Sequence, residues 1–164
     1  MSDPFPCTIR PAVPADVPAI HTLIQGLAEY ERMTDDMVAT DAQLAAALFP
    51  PDGRTALVHA VVAETAHVAV GFALYFFTYS TFVGRPGLYL EDLFVQPAHR
   101  GRGIGTALLT HLAREANARG CGRMEWSVLD WNADAIRVYE AFGARRLTTW
   151  QICRLDGAAL ARYR

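Results

Sequence analysis

Two neighbouring carboxylates, Glu91 and Asp92, stand inside an otherwise apolar run, Leu88-Tyr-Leu-Glu-Asp-Leu-Phe-Val95. A carboxylate within a sheet costs several kcal/mol unless it is paired or hydrated. At least one of the two is therefore expected to face a polar cavity, where it can attract a cation or accept a proton. An acid on the solvent side of a half-exposed strand would read the same way. Alternation sends the two side chains to opposite faces unless a bulge intervenes. Shortly after comes Arg100-Gly-Arg-Gly-Ile-Gly105. Glycines let backbone N–H groups approach a ligand and turn toward it, and the start of a helix adds about half a positive charge. Together these groups cradle a phosphate, with Arg100 and Arg102 adding charge at the rim. A tight strand-to-helix turn that needs glycine only for its shape is the alternative.

The spacing narrows the anion. A dinucleotide fingerprint requires Gly-x-Gly-x-x-Gly, and here the third glycine arrives one residue early, with Thr106 in its place. That motif also follows the first strand of its fold. A Walker loop ends Gly-Lys-Ser/Thr, and no lysine stands there. Tyr139 lies mid-helix beside Ala135, Ile136 and Phe142, a pattern that suits a core aromatic as well as a catalytic one. Tyr30-Glu31 closes an earlier helix and reads as a plain helix terminus on this ground alone. The five histidines and three cysteines show no metal-ligand spacing, and no metal is expected.

The elements that must position these residues follow from periodicity. Thr8-Ile-Arg-Pro-Ala12 is a short strand. Pro14 to about Glu31 is a helix with Val17, Ile20, Leu23, Ile24 and Leu27 on its buried face. Thr40-Asp41 caps a second helix, Ala42 to Phe49. Ala56 to Glu64 and Val68 to Tyr79 are strands joined near Thr65-Ala66, with a bulge expected at Gly71. Gly84-Arg-Pro-Gly87 turns the chain into the Leu88–Val95 strand. Ile104 to about Arg119 is a helix that Gly120 stops, and Arg123 to Leu129 a strand parallel to the one before that helix. Asn132 caps a helix from Ala133 to Phe142. Two more strands fit around Arg145 to Leu155, and Gly157 to Tyr163 forms a last helical turn. The count predicts an α/β fold with one mixed, mostly antiparallel sheet of about seven strands and about four helices on its faces.

At 164 residues, with 52% apolar and 20% charged residues, the chain is expected to form one domain spanning 1–164 with residues 1–6 as a disordered tail. The longest uncharged apolar run, Val68 to Phe77, is too short for a bilayer, and no signal-peptide pattern opens the sequence. A net charge of −2 argues against a nucleic-acid partner. Cys7, Cys121 and Cys153, odd in number and far apart, suit free thiols in the cytoplasm.

These residues together resemble a known family. Val95-Gln-Pro-Ala-His-Arg-Gly-Arg-Gly-Ile-Gly-Thr106 resembles the acetyl-CoA loop of the GCN5-related N-acetyltransferases, Arg/Gln-x-x-Gly-x-Gly/Ala, filled by Arg100, Gly103 and Gly105. Thr8 to Ala12 resembles the family's first strand, and Leu27-Ala-Glu-Tyr-Glu31, Phe72 to Tyr79, Tyr89-Leu-Glu-Asp92, and Asp130-Trp-Asn132 with Tyr139 and Phe142-Gly-Ala144 resemble its diamine (spermidine/spermine) and thialysine acetyltransferase branch. The resemblance implies a sheet splayed in its middle, with acetyl-CoA against the strand that ends at Val95. Leu93, Phe94 and Val95 would meet the pantetheine and acetyl group through their backbone, where an N–H would hold an oxyanion. Arg100, Gly101, Arg102, Gly103, Ile104, Gly105 and Thr106 would hold the pyrophosphate. Trp126, Asn132, Ala133, Asp134 and Ala135 would line the rest of the cofactor arm. Tyr139 would be the general acid and Glu91 the proton acceptor through water. Tyr30, Glu31, Glu91, Asp92, Ser80 and Phe82 would meet the amine. A homodimer is implied as well.

The sequence departs from the polyamine pattern at Ser80 and Phe82, where that branch carries an acid and a tryptophan. Tyr79-Ser80-Thr81 and Val128-Leu-Asp-Trp-Asn132 look more like the thialysine type, and Arg85-Pro-Gly87 carries an extra residue. The expected activity is transfer of acetyl from acetyl-CoA to a primary amine of a small molecule, a diamine or a lysine-like amino acid. The alternatives are a non-catalytic CoA-binding regulatory module, an acetyltransferase of protein amines and, less suited to the glycine spacing, a nucleotide-dependent oxidoreductase.

Overall fold

A computed structural model describes residues 7–164; the tail expected at residues 1–6 lies outside the described residues. The chain divides into two compact units, one ending at Ser127 and one running from Val128 to Arg164.

The first unit is built on a five-stranded sheet in sequential order, β1 (Thr8–Pro11), β2 (His59–Thr65), β3 (Val68–Ser80), β4 (Arg85–Val95) and β5 (Arg123–Trp126). The first four strands are antiparallel and β4 runs parallel to β5. Two tight hairpins force the antiparallel part, and α3 (Ile104–Ala118) supplies the crossover that lets β5 run parallel. The helices α1 (Val17–Glu31) and α2 (Asp41–Leu48) precede β2. Thr40 caps α2 by accepting from the Gln43 N–H at 3.3 Å.

One face of the sheet packs Ala60, Val62, Phe72, Leu74 and Phe94 against Ile20 and Leu23 of α1 and Leu48 of α2. The alternate residues Val61, Ala73, Leu88 and Leu90 are buried on the opposite face. There α3 lies, its stripe of Leu108, Leu109 and Leu112 fully buried. At one margin Arg10 of β1 clamps two acids, Asp16 at 2.7 and 2.9 Å and Glu64 at 2.7 and 2.9 Å. Asp16 also accepts the Val13 N–H at 2.8 Å. The Arg10 hydrogen bond, with that backbone bond behind it, holds the Asp16 carboxyl below its ordinary range despite burial.

The second unit contains α4 (Ala133–Ala141) and α5 (Gly157–Ala161). The sheet therefore has five strands rather than about seven. The two strands expected around Arg145 to Leu155 are not formed among the described residues, and Leu147, Trp150, Ile152 and Leu155 stand exposed. The bulge expected at Gly71 falls one residue earlier. Ala63 pairs with Gly71 and Glu64 with Ala69, which leaves Val70 as the extra residue.

Candidate active site

The ladder between β3 and β4 breaks where the two acids stand. Leu74 pairs with Asp92 and Tyr75 with Leu90, so Glu91 is the extra residue of a β-bulge. Up to Leu90 the even-numbered residues of β4 pair with Tyr75 and Phe77 and lie on the α3 face. After the bulge Asp92 and Phe94 pair with Leu74 and Phe72 and lie on the α1 face. The expectation of opposed acids is thus modified by the bulge: Glu91 is exposed and Asp92 half-buried toward the end of α1.

Burial pushes the Asp92 carboxyl up from 3.8 to about 6, and the negative charges of Glu91 and then Glu31 add to the rise. Burial also raises Glu31. Three carboxylates from β4 and the last turn of α1 therefore share one electrostatic neighbourhood, which lowers its energy by taking up a cation. The end of α1 is fixed by Arg32, in the left-handed region at φ 60°, with the Met33 N–H returning to the Ala28 carbonyl at 2.8 Å.

The same place in β4 is where the sheet opens. The last β4–β5 pair is Leu90 with Trp126, and β4 continues from Glu91 to Val95. Among the described residues no strand pairs with that stretch on its β5 side. Apart from the Val95 carbonyl, which Arg100 takes, no strand ladder occupies the backbone groups on this side, and a ligand can approach them. The Gln96 N–H, bound to the Val70 carbonyl at 2.9 Å, holds the end of β4 against β3.

The glycine turn follows directly. Gly101 and Gly103 sit at φ 72° and 78°, a region that side-chain-bearing residues rarely adopt, and a Cβ on either would meet nothing within 4 Å. Their glycines are thus required by backbone shape, and the space over them is open. Gly103 is the N-cap of α3 and supplies no side-chain cap. The first N–H groups of that helix are available to an anion, with the positive end of its dipole behind them. Ile104 is buried as the anchor of the turn, while Arg102 and Thr106 are exposed on its outer side. A free strand edge that leads into an open, side-chain-free helix N-terminus fits a pantetheine arm ending in a pyrophosphate.

Arg100 is placed differently from the expectation of a charge at the cradle's rim. Its Nε donates to the Val95 carbonyl at 2.9 Å, and its guanidinium lies over the Tyr30 ring, 4.7 Å from the centroid, and the Phe94 ring, 5.3 Å. The structure thereby brings Tyr30, Glu31, Asp92, Phe94 and Arg100 into one neighbourhood. It does not bring Ser80 or Phe82 there within one chain. Ser80 pairs with Arg85, and from Arg85 to Glu91 the strand runs about 20 Å. Ser80 is buried in the β3–β4 turn, where its Oγ accepts the Val83 N–H at 3.2 Å, and Phe82 is 96% exposed at the tip.

Trp126 is half-buried at the end of β5, next to Ser127, whose Oγ lies 2.9 Å from the Tyr89 hydroxyl. In the second unit, Asn132 caps α4 by accepting the Ala135 N–H at 3.2 Å. Asp134, in the first turn, pairs with Arg137. Tyr139 is half-buried on α4, and its carbonyl accepts the Ala144 N–H at 3.0 Å as the helix ends. A cavity of about 240 Å³ opens elsewhere, between β1, β2 and the second half of α3, lined by His59, Tyr75, His111, Glu115 and Arg119. It contains none of the expected site residues.

Comparison with known proteins finds a family and several relatives. The model of the acetyltransferase (GNAT) family matches residues 19–144. A thialysine N-epsilon-acetyltransferase from Bos taurus is 39% identical over 93% of this chain and 94% of its own length. An L-ornithine N5-acetyltransferase from Arabidopsis thaliana is 35% identical over 93% of this chain and 85% of its own. Among solved structures, an integron cassette protein from the mobile metagenome of V. cholerae superposes with a TM-score of 0.77 at 25% identity, covering 96% of each chain.

Proposed function

The chain belongs to the acetyltransferase (GNAT) family, and from that premise we propose that it acetylates the terminal amine of a lysine- or ornithine-like amino acid, using acetyl-CoA as donor. The observation that carries the reading is the bulge at Glu91, which exposes the β4 edge to the donor and turns Asp92 toward Glu31 on the acceptor side. Acetyl-CoA, when bound, supplies an activated thioester carbonyl.

The residues of the chain divide the remaining work. The open edge of Leu93, Phe94 and Val95 offers backbone groups to the acyl arm and its carbonyl oxygen. Gly101 to Thr106 offer the N–H groups of the α3 terminus to the pyrophosphate, and Trp126 lines the arm; Asn132 to Ala135 of the second unit are further candidates for the cofactor. Asp92, Glu31 and Glu91 attract the ammonium. An alkyl amine with a pKa of about 10.4 is deprotonated in only about one molecule in 2,500 near pH 7, a handicap of roughly 4.6 kcal/mol. Glu91, exposed on the bulge, takes the proton through water, and Asp92, desolvated, holds the amine in line. Tyr139 is the proposed proton donor to the departing thiolate: a phenol of pKa about 10 gives its proton to the conjugate base of a thiol of pKa about 8.5 only when it donates within the site. The names of the relatives favour an amino acid over a long polycation.

The whole chain is read as one acetyltransferase domain, since the family match runs across Ser127. A homodimer accords with it, a second copy covering the exposed Leu147, Trp150, Ile152 and Leu155. All three thiols are free, which accords with a cytoplasmic site. Among the described residues, no helix is long and apolar enough to cross a membrane.

The deciding experiment is thiol release from acetyl-CoA against thialysine, ornithine, lysine, putrescine and spermidine. Turnover is expected to favour the amino acids. Binding of CoA without turnover on any amine would revert the reading to a non-catalytic module.

A further inference from the structure

Arg100 follows the short turn Pro97–His99 and stands just before the glycine loop, where a cation is expected to meet a phosphate. Its side chain turns back onto the protein instead, while the residue remains exposed. The Nε bond ties it to Val95, the last residue of β4, and the guanidinium covers Tyr30 of α1 and Phe94 of β4. A guanidinium can do both at once because it donates in its plane and stacks on its face. Phe94 is 6% exposed, and α1 closes on its ring at Gly26, where a Cβ would come within 3.0 Å of it. The platform under Arg100 is therefore rigid on the β4 side. Tyr30, in the last turn of α1, is the partner that Arg100 holds down.

We propose that Arg100 is a positioning residue that couples the donor loop to the acceptor side of the site. Tyr30 and Glu31 are neighbours in the last turn of α1, so holding the Tyr30 ring also steadies the backbone from which Glu31 acts on Asp92. Ordering residues 97–103 around a bound donor then orders the α1 terminus, and binding energy at one substrate appears as affinity for the other. The proposal rests on the reading above for which face receives the amine; the brace itself does not.

The test uses Arg100→Ala, Arg100→Lys, Tyr30→Leu and the Arg100→Ala/Tyr30→Leu double variant of the full chain. Arg100→Ala is expected to raise the KM for the amine about tenfold at saturating acetyl-CoA, with CoA affinity by calorimetry within about threefold of wild type. Arg100→Lys keeps the charge but neither the planar face nor the Nε donor, and is expected not to restore it. Tyr30→Leu should repeat the effect, and the double variant should cost no more than either single change. A second readout needs no turnover: amide exchange at residues 28–33 should quicken in ligand-free Arg100→Ala together with exchange at 98–103. The idea is overturned by a loss of CoA affinity beyond about tenfold with unchanged amine KM, which would make Arg100 a phosphate ligand. It is equally overturned by additive effects, by full rescue with lysine, or by exchange that quickens only at 98–103. If the wild-type chain acetylates no amine, the functional reading fails while the exchange experiment still decides the coupling.

Discussion

Asp92→Asn should make the protein more stable at pH 8 and less active. In the unfolded chain the Asp92 carboxyl titrates near its ordinary 3.8, and in the fold at about 6, with burial as the first cause and Glu91 and Glu31 after it. Between those values the folded state holds a proton that the unfolded state has lost. Stability therefore falls as pH rises through that window, and above it the fold carries the whole cost of a desolvated carboxylate. Two pKa units correspond to about 3 kcal/mol, an upper figure for a half-buried group, so a gain of about 1–3 kcal/mol is expected from the neutral isostere at pH 8. Below about pH 4 the wild-type carboxyl is itself neutral and the two proteins should be nearly equal. Urea unfolding followed by tryptophan fluorescence at pH 4 and pH 8 measures both, with equal m-values as the check on two-state behaviour. Turnover should fall by roughly 10²-fold or more, because the amine loses its partner at the reacting position. A stability difference that is the same at both pH values would refute the desolvation of Asp92, and with it the assignment of this acid to the amine.

Three further outcomes can be measured alongside. Tyr139→Phe should leave CoA affinity intact and lower turnover by roughly 10²-fold, as loss of a general acid does; unchanged turnover removes the residue from the chemistry. Gly103→Asp should weaken CoA binding through a negative charge at the α3 terminus, not through a clash, since a Cβ there meets nothing within 4 Å. Calorimetry with CoA checks this. Arg10→Met should destabilise the fold by about 2–4 kcal/mol by stranding Asp16 and Glu64. In the wild type, the depressed Asp16 carboxyl makes its share of stability present above its unfolded value and lost as pH falls through the folded one, so the variant should show a shallower acid transition.

The sequence made the helices and the glycine turn legible because their signals are local. Apolar spacing predicts α1, Thr40 marks the start of α2, and Gly103 and Gly120 bracket α3, all within a residue or two of where they lie. Pairing is not local. The run from Arg145 to Leu155 carries strand-forming residues such as Thr148, Thr149, Trp150 and Ile152, yet nothing within it specifies a neighbour, and it forms no ladder. Gly71 looked like the bulge because glycine is tolerant there, but the register shift sits at Val70. Arg100 and Arg102 could be recognised as charges beside a phosphate cradle. Which way Arg100 points depends on Tyr30, some seventy residues earlier, and on a ring in β4, and no spacing rule joins them.

The acids of β4 show why one inserted residue is enough to make a site. Leu88 and Leu90 face α3 and are almost wholly buried. With regular alternation Asp92 would follow them beneath Leu108, Leu109 and Leu112, where an unpaired carboxylate would cost several kcal/mol. The bulge at Glu91 reverses the alternation. It sends Asp92 to the α1 face beside Glu31, puts Phe94 where Arg100 can stack on it, and coincides with the last β4–β5 pair, past which the β4 edge is open. On the proposed reading, the donor and acceptor surfaces meet at this one irregularity of β4. Deleting Glu91 would not merely remove a carboxylate: it would turn Asp92 into the core and Phe94 away from Arg100 together. Glu91→Ala keeps the extra residue and therefore keeps both. The difference between those two changes separates the role of the Glu91 side chain from the role of its position.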